Sequence, residues 1–106
     1  LNGTFSGIGA ELSKENDLLI VVSPISGYPA DKAGIRPKDV ISEIDGEKTY
    51  GMSLSKAVEK IRGQSGSTVE LTVLRADSDK QVIKIKRENI TIPSVEWSVK
   101  KIMLAT

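Results

Sequence analysis

The chain of 106 residues has the length of one ordinary domain, and its 27% charged and 39% hydrophobic residues suit a globular fold rather than a disordered segment. Fifteen Lys and Arg against fourteen Asp and Glu leave a net charge of +1, so composition gives no basic surface for nucleic acid or anionic membrane. The absence of Cys and His excludes disulfides, thiol chemistry, zinc sites of the Cys/His type and a self-contained Ser-His-Asp triad.

In chain order, residues 5–12 form a glycine-rich turn running into a short strand, and residues 13–17 are polar and turn-like. Leu18 to Val22 is an apolar, β-branched run that predicts a buried strand. A loop marked by Pro24, Gly27 and Pro29 follows. Residues 29–34 then predict a helix of one to two turns, with proline in the first turn and Gly34 at the end. Val40 to Ile44 is a strand and Asp45-Gly46 a turn. Ser53 to Arg62 is the one longer helix, with Ser53 or Met52 near the N-cap, Gly63 at the end, and Leu54, Ala57, Val58 and Ile61 on one face. Val69, Leu71 and Val73 alternate with polar residues, as do Ile83 and Ile85 with Lys84 and Lys86; these stretches predict an antiparallel hairpin turning at residues 76–80. Residues 89–106 hold strand-like pieces around Pro93 without a clear partner. The fold class that follows is mainly β with two helices: a partly open barrel of five to six strands, capped by one short and one longer helix.

One segment has the composition of a binding site. Gly7 and Gly9 flank Ile8, which allows the amides of Ile8, Gly9 and Ala10 to point the same way as an anion-binding nest. The strand that leaves this loop would be an exposed edge to which a peptide could add. Ile8, Ala10 and Leu12 share one strand face; Leu54, Val58 and Ile61 share one helix face. If the two faces meet, they enclose an apolar groove with a carboxylate cradle at one end. Taken alone, the same glycines also suit a plain loop, and the same helix face a plain core.

Four motifs in order resolve that ambiguity. Residues 5–12 (FSGIGAEL) resemble the carboxylate-binding loop of PDZ domains, in the form found in bacterial C-terminal processing serine peptidases. Residues 28–35 (YPADKAGI) resemble the short helix of that family. Residues 38–46 (KDVISEIDG) resemble the strand and turn that follow it. Residues 57–63 (AVEKIRG) with 66–69 (GSTV) resemble its Ile-Arg-Gly junction. Lys38 departs from the usual glycine and Asp45 from the usual asparagine; neither position bears on the groove. Leu54 stands where eukaryotic PDZ domains often carry histidine, which implies an apolar ligand.

The resemblance implies a PDZ-like domain with the bacterial, permuted strand order over residues 1–88, and a return segment toward a protease core over residues 89–106. It implies a carboxylate-binding set of Gly7, Ile8, Gly9 and Ala10, and a peptide groove of Leu12, Leu54, Val58 and Ile61. Arg62 is either an interdomain or regulatory residue or a cation serving the helix C-terminus. The implied partners are substrate C-terminal tails with apolar last residues and the protease core of the same chain. No nucleic acid, membrane insertion, cofactor or metal is expected. No catalytic residue lies in this chain; the parent would be a Ser–Lys processing endopeptidase outside the cytoplasm. A stand-alone scaffold module, or the PDZ domain of a trypsin-like stress protease, would share the fold.

Three features are read as structural. Ser53-x-x-Lys56 has an acyl-enzyme spacing but lacks companion motifs, so Ser53 is a helix cap. Asp77-x-Asp79 lacks the remaining ligands of a calcium loop and belongs to a hairpin turn. Lys84, Lys86 and Arg87 make a solvated strand face.

Overall fold

The computed structural model describes residues 6–90 and the backbone of residues 102–104. The expected strand pieces around Pro93 lie outside the described residues. Among the described residues, seven strands and two helices follow one another as β1 (Ala10–Glu15), β2 (Leu18–Pro24), α1 (Pro29–Lys32), β3 (Val40–Ile44), β4 (Glu47–Lys48), α2 (Leu54–Ile61), β5 (Thr68–Arg75), β6 (Ser78–Lys86) and β7 (Ile102–Leu104).

The strands form one antiparallel sheet in the order β6-β5-β3-β2-β1-β7, with β4 paired to β3. The mainly β fold with one short and one longer helix is the one anticipated. The strand count differs because β4 has two residues and β7 three, both too short to carry a periodic signal. The polar stretch after Leu12 also behaves differently. β1 continues to Glu15, and the turn into β2 contracts to Asn16 and Asp17, both in the left-handed region at φ 53° and 65°. That pair matches the twist a two-residue antiparallel turn requires, and Asn and Asp tolerate it. Asp45 and Gly46 repeat the device between β3 and β4, at φ 49° and 82°.

The core lies between the inner face of the sheet and α2. Leu12, Leu19, Ile41, Ile44, Ile61, Leu71 and Ile85 are its largest wholly buried side chains, together with Ile8. Ala57, Val58 and Ile61 bring the apolar stripe of α2 onto it, with Leu54 packed at its margin. The Ser53 side chain accepts from the Lys56 amide at 3.1 Å, so it is the helix cap.

Two bridges curl the sheet toward closure. Ser6 pairs with Gly63 after α2, and Gly7 with Glu88 after β6. The segment before β1 is thereby tied to the segment after β6, from opposite parts of the strand order.

A buried ion pair fixes the opposite rim. Arg75 Nε donates to Asp39 Oδ1 at 2.8 Å, while its Nη2 donates to Asp39 Oδ2 at 3.0 Å and to the Gly34 carbonyl at 2.6 Å. Asp39 Oδ2 also accepts the Arg36 amide at 2.9 Å. The bond to Asp39 holds the Arg75 guanidinium above its ordinary pKa range.

Candidate functional site

The loop of residues 6–9 is built by anchoring its carbonyls inward. The Ile8 carbonyl accepts the Ala30 amide at the start of α1, and the Gly9 carbonyl accepts the Ile25 amide, both at 2.8 Å. Each of those carbonyls shares a trans peptide plane with the next residue's amide, so the Gly9 and Ala10 N–H groups are turned to the other side. Among the described residues, the amides of Ile8 and Gly9 donate to no acceptor. Gly7 differs: its amide donates to the Glu88 carbonyl at 3.0 Å and its carbonyl accepts the Glu88 amide at 3.0 Å. Gly7, placed by the resemblance in the carboxylate-binding set, therefore belongs to the seam with Glu88, and its N–H is committed there.

Gly9 is the position that demands glycine. Its φ is +74°, and a Cβ there would lie 2.6 Å from the Tyr28 Cβ. The loop thus approaches the start of α1 more closely than any side chain allows. Ala10 opens β1, opposite Pro24 of β2.

The predicted apolar faces do meet. Ile8, Ala10 and Leu12 are wholly buried, and Val58 and Ile61 of α2 join them in one cluster. Leu54, half-buried at the first turn of α2, lies at the cluster's margin. α2 lies against both β1 and β7. Arg62 has left the helix, at φ −71° and ψ 158°, while its amide still donates to the Val58 carbonyl at 3.0 Å. The next residue, Gly63, is bridged to Ser6, so Arg62 sits where α2 joins the loop.

One expectation is corrected outright. The outer edge of β1 was expected to be open, and it is paired. β7 runs antiparallel to β1, with Glu11 opposite Leu104, Leu12 opposite Met103 and Ser13 opposite Ile102. The cause is the chain's own later segment, which lies between β1 and α2.

A second correction concerns Arg87. It is buried, whereas Lys84 and Lys86 are exposed. Its Nε donates to the Ile61 carbonyl at 2.7 Å and its Nη2 to the Lys60 carbonyl at 3.3 Å, capping the last turn of α2. Its Nη1 reaches Ser67 Oγ at 2.8 Å. The guanidinium passes so close to Gly63 that a Cβ there would lie 2.9 Å from its Cζ. The alternation of β6 carried this information: the parity that turns Ile83 and Ile85 inward turns Arg87 inward as well.

The remaining charged contact on α2 is at the surface. Lys60 Nζ lies 2.8 Å from Glu47 Oε1 of β4. The Lys60 hydrogen bond holds the Glu47 carboxyl below its ordinary pKa against the opposing effect of desolvation, with Coulombic attraction from Lys60 and Lys56 adding to it.

Strand order, donor loop and facing helix together define a class, and sequence comparison agrees with it. The PDZ domain family matches residues 20–75, and the chain belongs to that family. It is 48% identical over 100 residues, 94% of its length, to a probable CtpA-like serine protease of Staphylococcus aureus (strain COL). The chain spans about a fifth of the length of the curated relatives it matches. Among solved structures, a photosystem II D1 C-terminal processing protease superposes with a TM-score of 0.80 at 32% identity, over 87% of this chain and 25% of that one. The PDZ domain of a carboxy-terminal protease from Vibrio cholerae, solved in complex with peptide, superposes with a TM-score of 0.73 at 32% identity, over 85% of this chain and 100% of that one.

Proposed function

We propose that this domain recognises the C-terminal ends of substrate polypeptides and regulates a C-terminal processing serine endopeptidase of which it is part. The observation that carries the reading is the pair of amides on Ile8 and Gly9, uncommitted among the described residues, at the end of the β1–α2 groove. Such donors suit a terminal carboxylate, and a ligand running antiparallel to β1 delivers its last residue to them. The bound peptide in the Vibrio cholerae relative and the CtpA-like protease relatives support the reading. Of the residues predicted for the groove, Leu54 lies at the margin of the core cluster and Leu12, Val58 and Ile61 within it, an apolar setting that suits an apolar last side chain. The catalytic Ser–Lys pair is assigned to the rest of the parent protein, which is placed outside the cytoplasm. Arg62, at the junction of α2 and the loop, is the candidate contact to the protease core.

The test compares fluorescent hexapeptides ending in a free leucine with the same peptides amidated. Free-ended peptides are expected to bind with a dissociation constant on the order of micromolar, and amidation to weaken binding at least about tenfold. Equal binding of the two forms would remove the carboxylate cradle from the account.

A further inference from the structure

We infer that β7 is a built-in competitor for the peptide groove, so that a ligand engages this domain by exchanging places with residues 102–104. The inference rests on the peptide-binding reading of the β1–α2 groove and specifies how that site is regulated.

Three observations carry it. β7 occupies the edge of β1 that a strand-adding ligand needs, pairing with Glu11, Leu12 and Ser13. It lies against α2 as well, so it fills the space between strand and helix rather than hanging on the sheet's rim. Its polarity is that of a docking chain end: Ile102 faces Ser13, Leu104 faces Glu11, and the chain runs toward the loop of Ile8 and Gly9. A strand edge has one row of donors and acceptors, so two strands cannot share it.

The pairing is short, and that suits a competitor better than a permanent partner. β7 has three residues, whereas the β1–β2 ladder engages all six residues of β1. Apparent affinity for an external peptide then equals intrinsic affinity scaled by the fraction of time the edge is vacant. Release of β7 also frees the chain that leads away from the domain. Ligand arrival is thereby converted into the release of residues 102–104.

The test uses the whole chain and two readouts. Amide hydrogen exchange of β1 and β7 is followed with and without a free-ended apolar peptide, in the unaltered chain and in a variant carrying Ile102→Pro with Met103→Pro. Adjacent residues of a strand alternate which N–H faces the neighbour, so the double substitution removes at least one inward donor whichever parity faces β1. In the unaltered chain, saturating peptide is expected to speed exchange at residues 102–104 while β1 stays protected. In the variant without peptide, the β1 edge is expected to exchange faster, and peptide affinity to rise about tenfold if the edge is occupied nine-tenths of the time.

Unchanged exchange at residues 102–104 in the unaltered chain, with peptide bound, overturns the inference without need of the variant. Faster β1 exchange in the variant with equal peptide affinity overturns it too. If neither form binds peptide although the variant exposes β1, the groove reading itself fails and the competitor role goes with it.

Discussion

Lys38 is the residue whose backbone contradicts its side chain. It sits at φ +76°, where a side chain is strained and glycine is not, and its neighbours leave it no other course. Its amide donates to the Val21 carbonyl at 2.8 Å, and the next residue, Asp39, is held by Arg75 and the Arg36 amide. The sequence already marked Lys38 as standing in for a glycine, and φ supplies the physical meaning of that departure. Lys38→Gly should raise stability by about 1 kcal/mol, measured by urea unfolding, since relief of the left-handed strain exceeds the entropy glycine adds to the unfolded chain. Gly9→Ala should do the reverse. It combines the same backbone strain with a 2.6 Å approach to Tyr28, and should cost at least about 2 kcal/mol. The glycine pattern of the loop was legible from the residues alone. That Gly7 serves a seam and Gly9 a close approach was not, because identical residue types fill both roles.

At the scale of elements, the helix and the hairpins followed from periodicity. The spacing of Leu54, Ala57, Val58 and Ile61 located α2, and the alternation from Val69 to Ile85 located β5 and β6. β7 could not be found that way. Ile102-Met103-Leu104 shows no alternation, and its partner lies at the other end of the chain, so no local signal predicts the pairing. α2 is further held to β4 by Lys60 and Glu47, and this contact gives the element a pH dependence. The folded-state pKa of Glu47 lies below its ordinary 4.5, chiefly through the Lys60 hydrogen bond. Its contribution is therefore complete above that ordinary value and fades as pH falls through the lowered one. Urea midpoints of the unaltered chain should drop between pH 7 and pH 3 by more than those of Glu47→Gln. Parallel curves would assign the acid sensitivity elsewhere.

At the scale of the whole molecule, Arg87 holds the helix layer to the sheet. It follows β6 directly, yet its donors end on carbonyls of Lys60 and Ile61 and on the Ser67 hydroxyl. A buried cation spread over carbonyls at a helix C-terminus is well placed, because those groups carry the negative end of the helix dipole. Arg87→Met keeps much of the stem and strands the carbonyls, and should cost about 2–3 kcal/mol in urea unfolding. A cost below about 0.5 kcal/mol would show that water replaces the guanidinium freely. The run Lys84-x-Lys86-Arg87 suggested solvent exposure because charge was weighed before parity.

The pair of bridges beneath the loop has a mechanical consequence. Residues 6 and 89 lie side by side, joined through Ser6 Oγ and Asn89 Oδ1 at 2.8 Å, and the chain enters and leaves at the same end of that antiparallel seam. Force that reaches these two residues therefore peels the seam bond by bond instead of shearing it all together. The chain pairs with the sheet again at β7, so a pull from beyond Leu104 meets the β1–β7 pairs first; once these part, the load falls on the Gly7–Glu88 pair beside the Ile8 and Gly9 amides, and so on the donor loop.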